Sequence, residues 1–195
     1  MCNFTAMDCY LFGQATHYDI YKKMGAHLAE RKGKKGVCFD VWAPHAREVY
    51  VFGEFNDWNE TSHEMKRVEP ETMGVYELFV PGAQKGQMYK YVIYSSLGRV
   101  EHCDPYGFAM ELRPNFASII TDLDEYKFTD SEWLEKRSKN YNEPLNIYEV
   151  HIGSWHTDPD NENGWYSYSD IADKLIKYVK KHHYTHIEFM PLSEH

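Results

Sequence analysis

The sequence lacks any apolar run long enough to cross a membrane, and its first residues carry no basic cluster of the kind that opens a secretory signal. A cytoplasmic protein is the expectation. Basic residues are in deficit: 21 Lys and Arg stand against 30 Asp and Glu, a formal net charge of −9. That deficit argues against a nucleic-acid partner or an anionic membrane, since both call for a basic surface that displaces counterions. It has no bearing on a neutral ligand such as a polysaccharide. Cysteine is scarce. Cys2, Cys9, Cys38 and Cys103 are widely spaced, form no Cys-x-x-Cys pair, and read as reduced thiols rather than a disulfide framework. No His-Glu-x-x-His or His/Cys pattern joins His151, His156, His182, His183, His186 and His195, so neither a metal nor another cofactor is expected. Repeats, low-complexity tracts and Gly/Ser linkers are missing as well.

Aromatic residues, in contrast, are plentiful. Tyr, Phe and Trp make up 16% of the 195 residues. An aromatic-rich β-core accounts for such a composition. So does a stacking surface for sugar rings, because tyrosine and tryptophan combine an apolar face with a polar edge. Composition leaves both readings open.

Hydrophobic periodicity divides the chain. Residues 1–35 form an N-terminal segment of mixed signals. Within it, Asp19–Gly25 reads as a short helix stopped by glycine, and Arg31–Gly36 as a basic, solvated hairpin turn. Residues 36–121 read as β. Val37–Trp42, Val49–Phe52, Gly74–Val80 and Gln87–Tyr94 are short β-branched and aromatic runs, bounded by Pro44, Gly53, Pro81 and Gly98. An antiparallel sandwich is predicted. Residues 122–145 are charged and read as a connecting segment. Residues 146–195 give a strand at Asn146–Ile152, a helix opened by a capping-box-like Ser167 and Asp170, and a second strand at Thr185–Met190. Ile171, Leu175 and Tyr178 mark the helix's buried face. Strand, helix, strand predicts a parallel βαβ unit. About 50 residues remain from Asn146 onward, whereas a complete (β/α)8 barrel takes roughly 250. The expected fold is therefore an all-β immunoglobulin-like sandwich followed by the first βαβ unit of an incomplete (β/α)8 barrel.

Five motifs, in order, carry a resemblance. Tyr10-Leu-Phe-Gly-Gln-Ala-Thr-His17 with Tyr21-Lys-Lys-Met-Gly-Ala-His27 resembles the opening of bacterial glycogen branching enzymes. Phe39-Asp-Val-Trp-Ala-Pro44 with Val51-Phe-Gly-Glu-Phe-Asn-Asp-Trp-Asn59 resembles the family 48 carbohydrate-binding module. Asp104-Pro-Tyr-Gly-Phe-Ala-Met-Glu-Leu-Arg-Pro114 is similar to the exit of that module in branching enzymes. Tyr148-Glu-Val-His-Ile-Gly-Ser-Trp155 and His186-Ile-Glu-Phe-Met-Pro-Leu-Ser-Glu-His195 resemble the first two strands of a family 13 glycoside hydrolase barrel. The resemblance implies cleavage of an α-1,4-glucan and its re-attachment as an α-1,6 branch. It also implies glycogen and maltooligosaccharides as partners, together with the remainder of a barrel.

The candidate glucan-binding residues are Trp58, Lys90 and Asn56. Trp58 falls at a strand end, where an indole is poorly buried and free to stack on a pyranose face. Lys90 alternates outward between Tyr89 and Tyr91 and is placed to donate to sugar hydroxyls; the alternative reading is that Trp58 and Lys90 mainly pack against the barrel. In the related glycogen-binding module of a kinase β-subunit, residues matching Trp58 and Lys90 contact glucan. That module's second tryptophan falls near Arg99 and Val100, where this sequence has none. Trp42, inside a strand, is expected in the core. No catalytic residue is assigned. The family's nucleophile, acid and stabilising aspartate follow later barrel strands, and Glu149, Glu188 and Glu194 match none of their motifs, so these three are read as structural or loop residues. A different class of function stays open: a stand-alone glucan-targeting module without catalysis.

Overall fold

A computed structural model describes residues 4–69, 73–137, 142–162 and 164–192. Cys2, Glu194 and His195 fall outside them. The chain divides into two compact units, Met1–Lys127 and Phe128–His195. The first begins with helix α1 (Ala6–Gly13), followed by strands β1 (Gly25–Arg31), β2 (Lys34–Trp42), β3 (Ala46–Gly53), β4 (Lys66–Arg67), β5 (Val75–Pro81), β6 (Met88–Ser95), β7 (Gly98–His102) and β8 (Ser118–Ile119). The second contains α2 (Ser131–Lys136), β9 (Ile147–Val150), α3 (Ile152–Trp155), α4 (Tyr168–Lys181) and β10 (His186–Phe189).

In the first unit the strands form two antiparallel sheets. One runs β1-β2-β5-β4. The other runs β3-β6-β7, with β8 also paired to β6. The period-2 pattern of β2 shows why they face each other. Val37, Phe39 and Val41 point inward and meet Val49 and Val51 of β3 and Tyr89 and Tyr91 of β6 in one buried core. This is a two-sheet sandwich of the immunoglobulin-like kind. The basic turn is the tip of the β1–β2 hairpin, with Lys32 and Gly33 both at positive φ, as a tight two-residue hairpin turn requires.

The outer face of the first sheet is also covered, which alternation alone did not indicate. Helix α1 is opened by a Thr5–Asp8 capping box. It packs Cys9 and Phe12, with Ile20 and Met24, against Val68 and Val75. The helix expected over Asp19–Gly25 is a single 3-10 turn, Ile20–Lys22, because the chain is drawn at once into β1. Asp8 ties this segment together. Its carboxylate accepts from the Thr5 N–H and hydroxyl (2.7 Å each), lies 2.8 Å from His17 Nε2, and faces Lys23 Nζ at 3.4 Å. Burial works to raise this carboxyl, but the hydrogen bonds and the lysine charge outweigh it and hold the group below the ordinary carboxylate range. Trp42 departs from expectation. It lies on the outer face, 52% exposed, its indole N–H bonded to the Met73 carbonyl (2.9 Å) and its ring edge-on to Phe12. Its inward neighbour Val41 takes the core position instead.

The second unit is a parallel βαβ arrangement. β9 and β10 pair in parallel, His186 opposite Ile147. Helix α4 is capped by Ser167, which accepts from the Asp170 N–H, and buries Ile171, Leu175 and Val179. Val150, Tyr148 and Ile187 receive that face. Among the described residues no helix is long and apolar enough to cross a membrane.

One buried acid makes stability depend on pH. Asp40, on β2, is 2% exposed, and its Oδ1 has no hydrogen-bond partner. Burial first, then the neighbouring charge of Glu77, pushes its carboxyl up to about 8. In the unfolded chain the same group ionises near pH ~3.9. The native state therefore holds a proton that the unfolded state has released. Stability falls as pH rises from about 4 towards about 8, at up to ~1.4 kcal/mol per pH unit. Urea midpoints recorded across that window should decline with pH, and Asp40→Asn should flatten the decline. A midpoint that climbs through the same range contradicts this account.

Candidate functional site

The outer face of the second sheet carries side chains that the sandwich core does not use. Register sets their rows: Phe52 pairs with Lys90, Tyr50 with Val92, Val92 with Glu101, and Tyr94 with Arg99. Directly opposed residues share a face, so these side chains point away from the core together.

β3 ends at Gly53, and the chain turns tightly. The Gly53 N–H donates to Asn56 Oδ1 (2.9 Å), and the Trp58 N–H donates back to the Gly53 carbonyl (2.9 Å). Glycine is needed here because a Cβ would run into the Met88 carbonyl and Tyr89 of the adjacent strand. Asp57 and Trp58 are both left-handed, with φ 52° and 58°. Aspartate tolerates that region; a bulky residue enters it rarely, at a cost of about 1–2 kcal/mol. The turn throws the indole outward. Trp58 is 38% exposed and rests edge-on against Phe52 at 5.7 Å.

Lys90 lies beside it, more enclosed than alternation suggests. Its side chain is only 17% exposed. The ammonium sits 3.8 Å from the centre of the Phe116 ring, 5.9 Å from that of Trp58, and 3.6 Å from Glu101 Oε1. Asn56 stands behind the platform. Its amide N donates to the Asn59 carbonyl (2.9 Å) and Ser62 Oγ (3.0 Å), which commits the side chain to shaping the turn. Where the sequence offers no second tryptophan, the Arg99 guanidinium grips Glu60, from the same turn as Trp58, through Nε (3.0 Å) and Nη2. The structure thus brings Trp58, Lys90 and Asn56 into one neighbourhood. It adds Phe116, Glu101 and Glu60, which the sequence reading passed over.

In the second unit, Glu149 and Glu188 are neighbours in the β9–β10 register, both exposed. A cleft of about 670 Å³ opens past the C-terminal ends of these strands, lined in part by His151, Trp165 and Tyr168. That is the end at which open parallel sheets receive ligands.

Residues 23–107 match the profile of carbohydrate-binding module 48, the isoamylase N-terminal domain. Over that stretch the sandwich resembles a carbohydrate-binding module. More particularly, the chain is 50% identical over 192 residues to the 1,4-alpha-glucan branching enzyme GlgB of Butyrivibrio fibrisolvens, covering 96% of this chain and 30% of that protein. It is 45% identical to the same enzyme of Rhodopirellula baltica, covering 98% of this chain and 26% of that one. Its resemblance to the N-terminal part of bacterial glycogen branching enzymes thus extends over nearly all of its length, and it spans less than a third of theirs. Among solved structures it is similar to a putative alpha amylase from Salmonella typhimurium, at TM-score 0.60 and 23% identity, covering 88% of this chain and 25% of that one. It also resembles the catalytic module of the glycogen-degrading pneumococcal virulence factor SpuA, at TM-score 0.63 and 22% identity, covering 87% of this chain and 26% of that one. At such identities these two likenesses speak for the fold alone.

The turn should fail without Asn56. Asn56→Ala leaves the Gly53 N–H without its acceptor and removes the bonds to Asn59 and Ser62. A loss of about 1–2 kcal/mol of stability is expected, read as a lower urea midpoint. An unchanged midpoint would take Asn56 out of the frame that holds Trp58.

Proposed function

We propose that this chain is the glucan-binding amino-terminal part of a cytoplasmic 1,4-alpha-glucan branching enzyme. In this reading residues 1–35 lead into the module of residues 36–121, residues 122–145 connect, and residues 146–195 supply the first βαβ unit of the catalytic (β/α)8 barrel. The ligand is an α-glucan, glycogen or a maltooligosaccharide, held by Trp58 and Lys90 on the outer face of the second sheet, with Asn56 fixing the turn. One observation carries the proposal: a strained, left-handed turn holds an indole partly in solvent beside a lysine, within a stretch that matches a carbohydrate-binding module. An indole face suits the apolar C–H face of a pyranose, and the ammonium suits its hydroxyls. The parallel βαβ unit favours an enzyme over a stand-alone binding module, which has no use for it.

Affinity electrophoresis in gels containing glycogen tests the site. Wild type should be retarded and Trp58→Ala much less so. A well-buried stacked ring contributes roughly 1.5–3 kcal/mol, which is about a tenfold to hundredfold change in affinity. Equal mobility of two folded proteins would remove Trp58 from the site.

The second expectation concerns chemistry. Retaining transfer needs a carboxylate nucleophile and an acid about 5–5.5 Å apart across the scissile bond, within a formed cleft. Glu149 and Glu188 sit in mid-strand, and the family's catalytic motifs are not matched in this sequence. The 195-residue protein should therefore form no new α-1,6 linkages on amylose. Linkage analysis is the measurement, because bound protein alone alters iodine colour. Turnover abolished by Glu149→Gln or Glu188→Gln would shift catalysis onto the second unit and overturn this expectation.

A further inference from the structure

The exit loop between β7 and β8 carries features that the sandwich does not require. Glu111 closes it: its carboxylate accepts from the Asn115 amide (2.9 Å) and the Ala117 N–H (3.2 Å), and its own N–H donates to the Ala117 carbonyl (2.9 Å). Asp104 and Ser118 anchor the loop's ends, the Asp104 N–H donating to Ser118 Oγ at 2.8 Å. A loop tied this firmly exposes Met110, Leu112 and Phe116, and of the three Phe116, 43% exposed, is the aromatic one. The ring does not complete the core. It lies over the Lys90 ammonium at 3.8 Å, and the same ammonium is 5.9 Å from the centre of the Trp58 ring. Lys90 thus touches one partly exposed aromatic ring and lies near a second. Phe116 falls outside the 23–107 stretch that matches the carbohydrate-binding module.

We propose that Phe116 is a second stacking plate for α-1,4-linked glucan, so that the binding site is built jointly by the β3 turn, which gives Trp58, and the exit loop, which gives Phe116, with Lys90 between them. The proposal rests on the glucan reading of Trp58 and Lys90. Its chemistry follows from the geometry. Pyranose C–H faces stack on aromatic faces, and a cation held between two plates is placed to donate to hydroxyls of the sugars resting on them. Glu101 restrains Lys90 from the side, 3.6 Å away. On the far flank Arg99 supplies no plate, because its guanidinium is bound to Glu60. The exit loop then serves recognition as well as connection.

Titration of the full 195-residue chain with maltoheptaose by calorimetry tests this. The variants are Phe116→Ala, Phe116→Leu, Phe116→Trp and Trp58→Ala. Phe116→Leu keeps an apolar cover over Lys90 and removes only the ring, so it guards against a folding defect in the alanine variant. Phe116→Ala and Phe116→Leu should bind at least about fivefold more weakly, while Phe116→Trp should match or exceed wild type. Wild-type affinity in Phe116→Leu, alongside weakened binding in Trp58→Ala, overturns the second plate and leaves the Trp58 site standing. Unchanged binding in Trp58→Ala together with both smaller Phe116 variants overturns the glucan platform itself. Phe116→Trp binding no better than Phe116→Leu also rejects a stacking role.

Discussion

The first unit depends on one buried carboxylate. Asp104 is 4% exposed, yet its Oδ2 accepts from the hydroxyls of Tyr89 (2.6 Å) and Tyr91 (3.0 Å), and its Oδ1 from the Tyr106 N–H (2.8 Å). Burial raises this carboxyl above the ordinary range, and the three bonds work against that rise. Removing any one partner would strand a polar group in the core, at a cost of a few kcal/mol. The knot therefore fixes two things. It sets how β6 presents its inward tyrosines, and so how Lys90, between them, is presented outward. It also fixes where the chain leaves the sandwich, and hence where the loop bearing Phe116 returns. The aromatic platform follows from this buried arrangement.

Much of the sandwich was legible because its core strands alternate cleanly. Val37, Phe39 and Val41 announce β2, and Val49 and Val51 announce β3, since a half-buried strand has only one way to hide such residues. The regions that were missed obey other rules. β1 carries His27 and Glu30 among its apolar residues, and β4 and β8 are two residues long, too short for any period. Helix α1 did leave a local sign in Thr5 and Asp8, three apart, but its apolar residues do not concentrate on one face. Trp42 was misplaced because a place inside a strand was read as burial. The alternation that puts Val41 inside already puts Trp42 outside, and the indole N–H, which needs a partner, finds one at the Met73 carbonyl.

The site was legible in part for a similar reason. Gly53 followed by Asn56 and Trp58 is a turn signature, and Lys90 between two inward tyrosines must face outward. Phe116, Glu101 and the Glu60–Arg99 pair were not legible. Each acts through partners distant in sequence: Phe116 meets Lys90 through the Asp104 knot, and Glu60 meets Arg99 across the sheet. No local pattern encodes such pairs. They follow from register, and register depends on a whole face being buried together.

The turn at Trp58 supplies the last step. Two successive left-handed residues, the second a tryptophan, cost more than a turn that seats glycine there would, and part of the return is packing, since the indole rests against Phe52, which is only 3% exposed. Two hydrogen bonds from the Gly53–Trp58 turn and the bonds made by Asn56 compensate enough to keep the conformation. Packing does not use the whole ring, however, because Trp58 stays 38% exposed. A flat apolar ring kept partly in water, beside a largely enclosed lysine, is what the glucan site proposed above would need. In that proposed site the ring is oriented before ligand arrives, so less of the stacking energy would be lost to ordering the protein. The remaining loss would be the ordering of the flexible glucan. The second plate proposed at Phe116 would offset part of that loss without adding mobility, because Phe116 is held by a loop closed on Glu111.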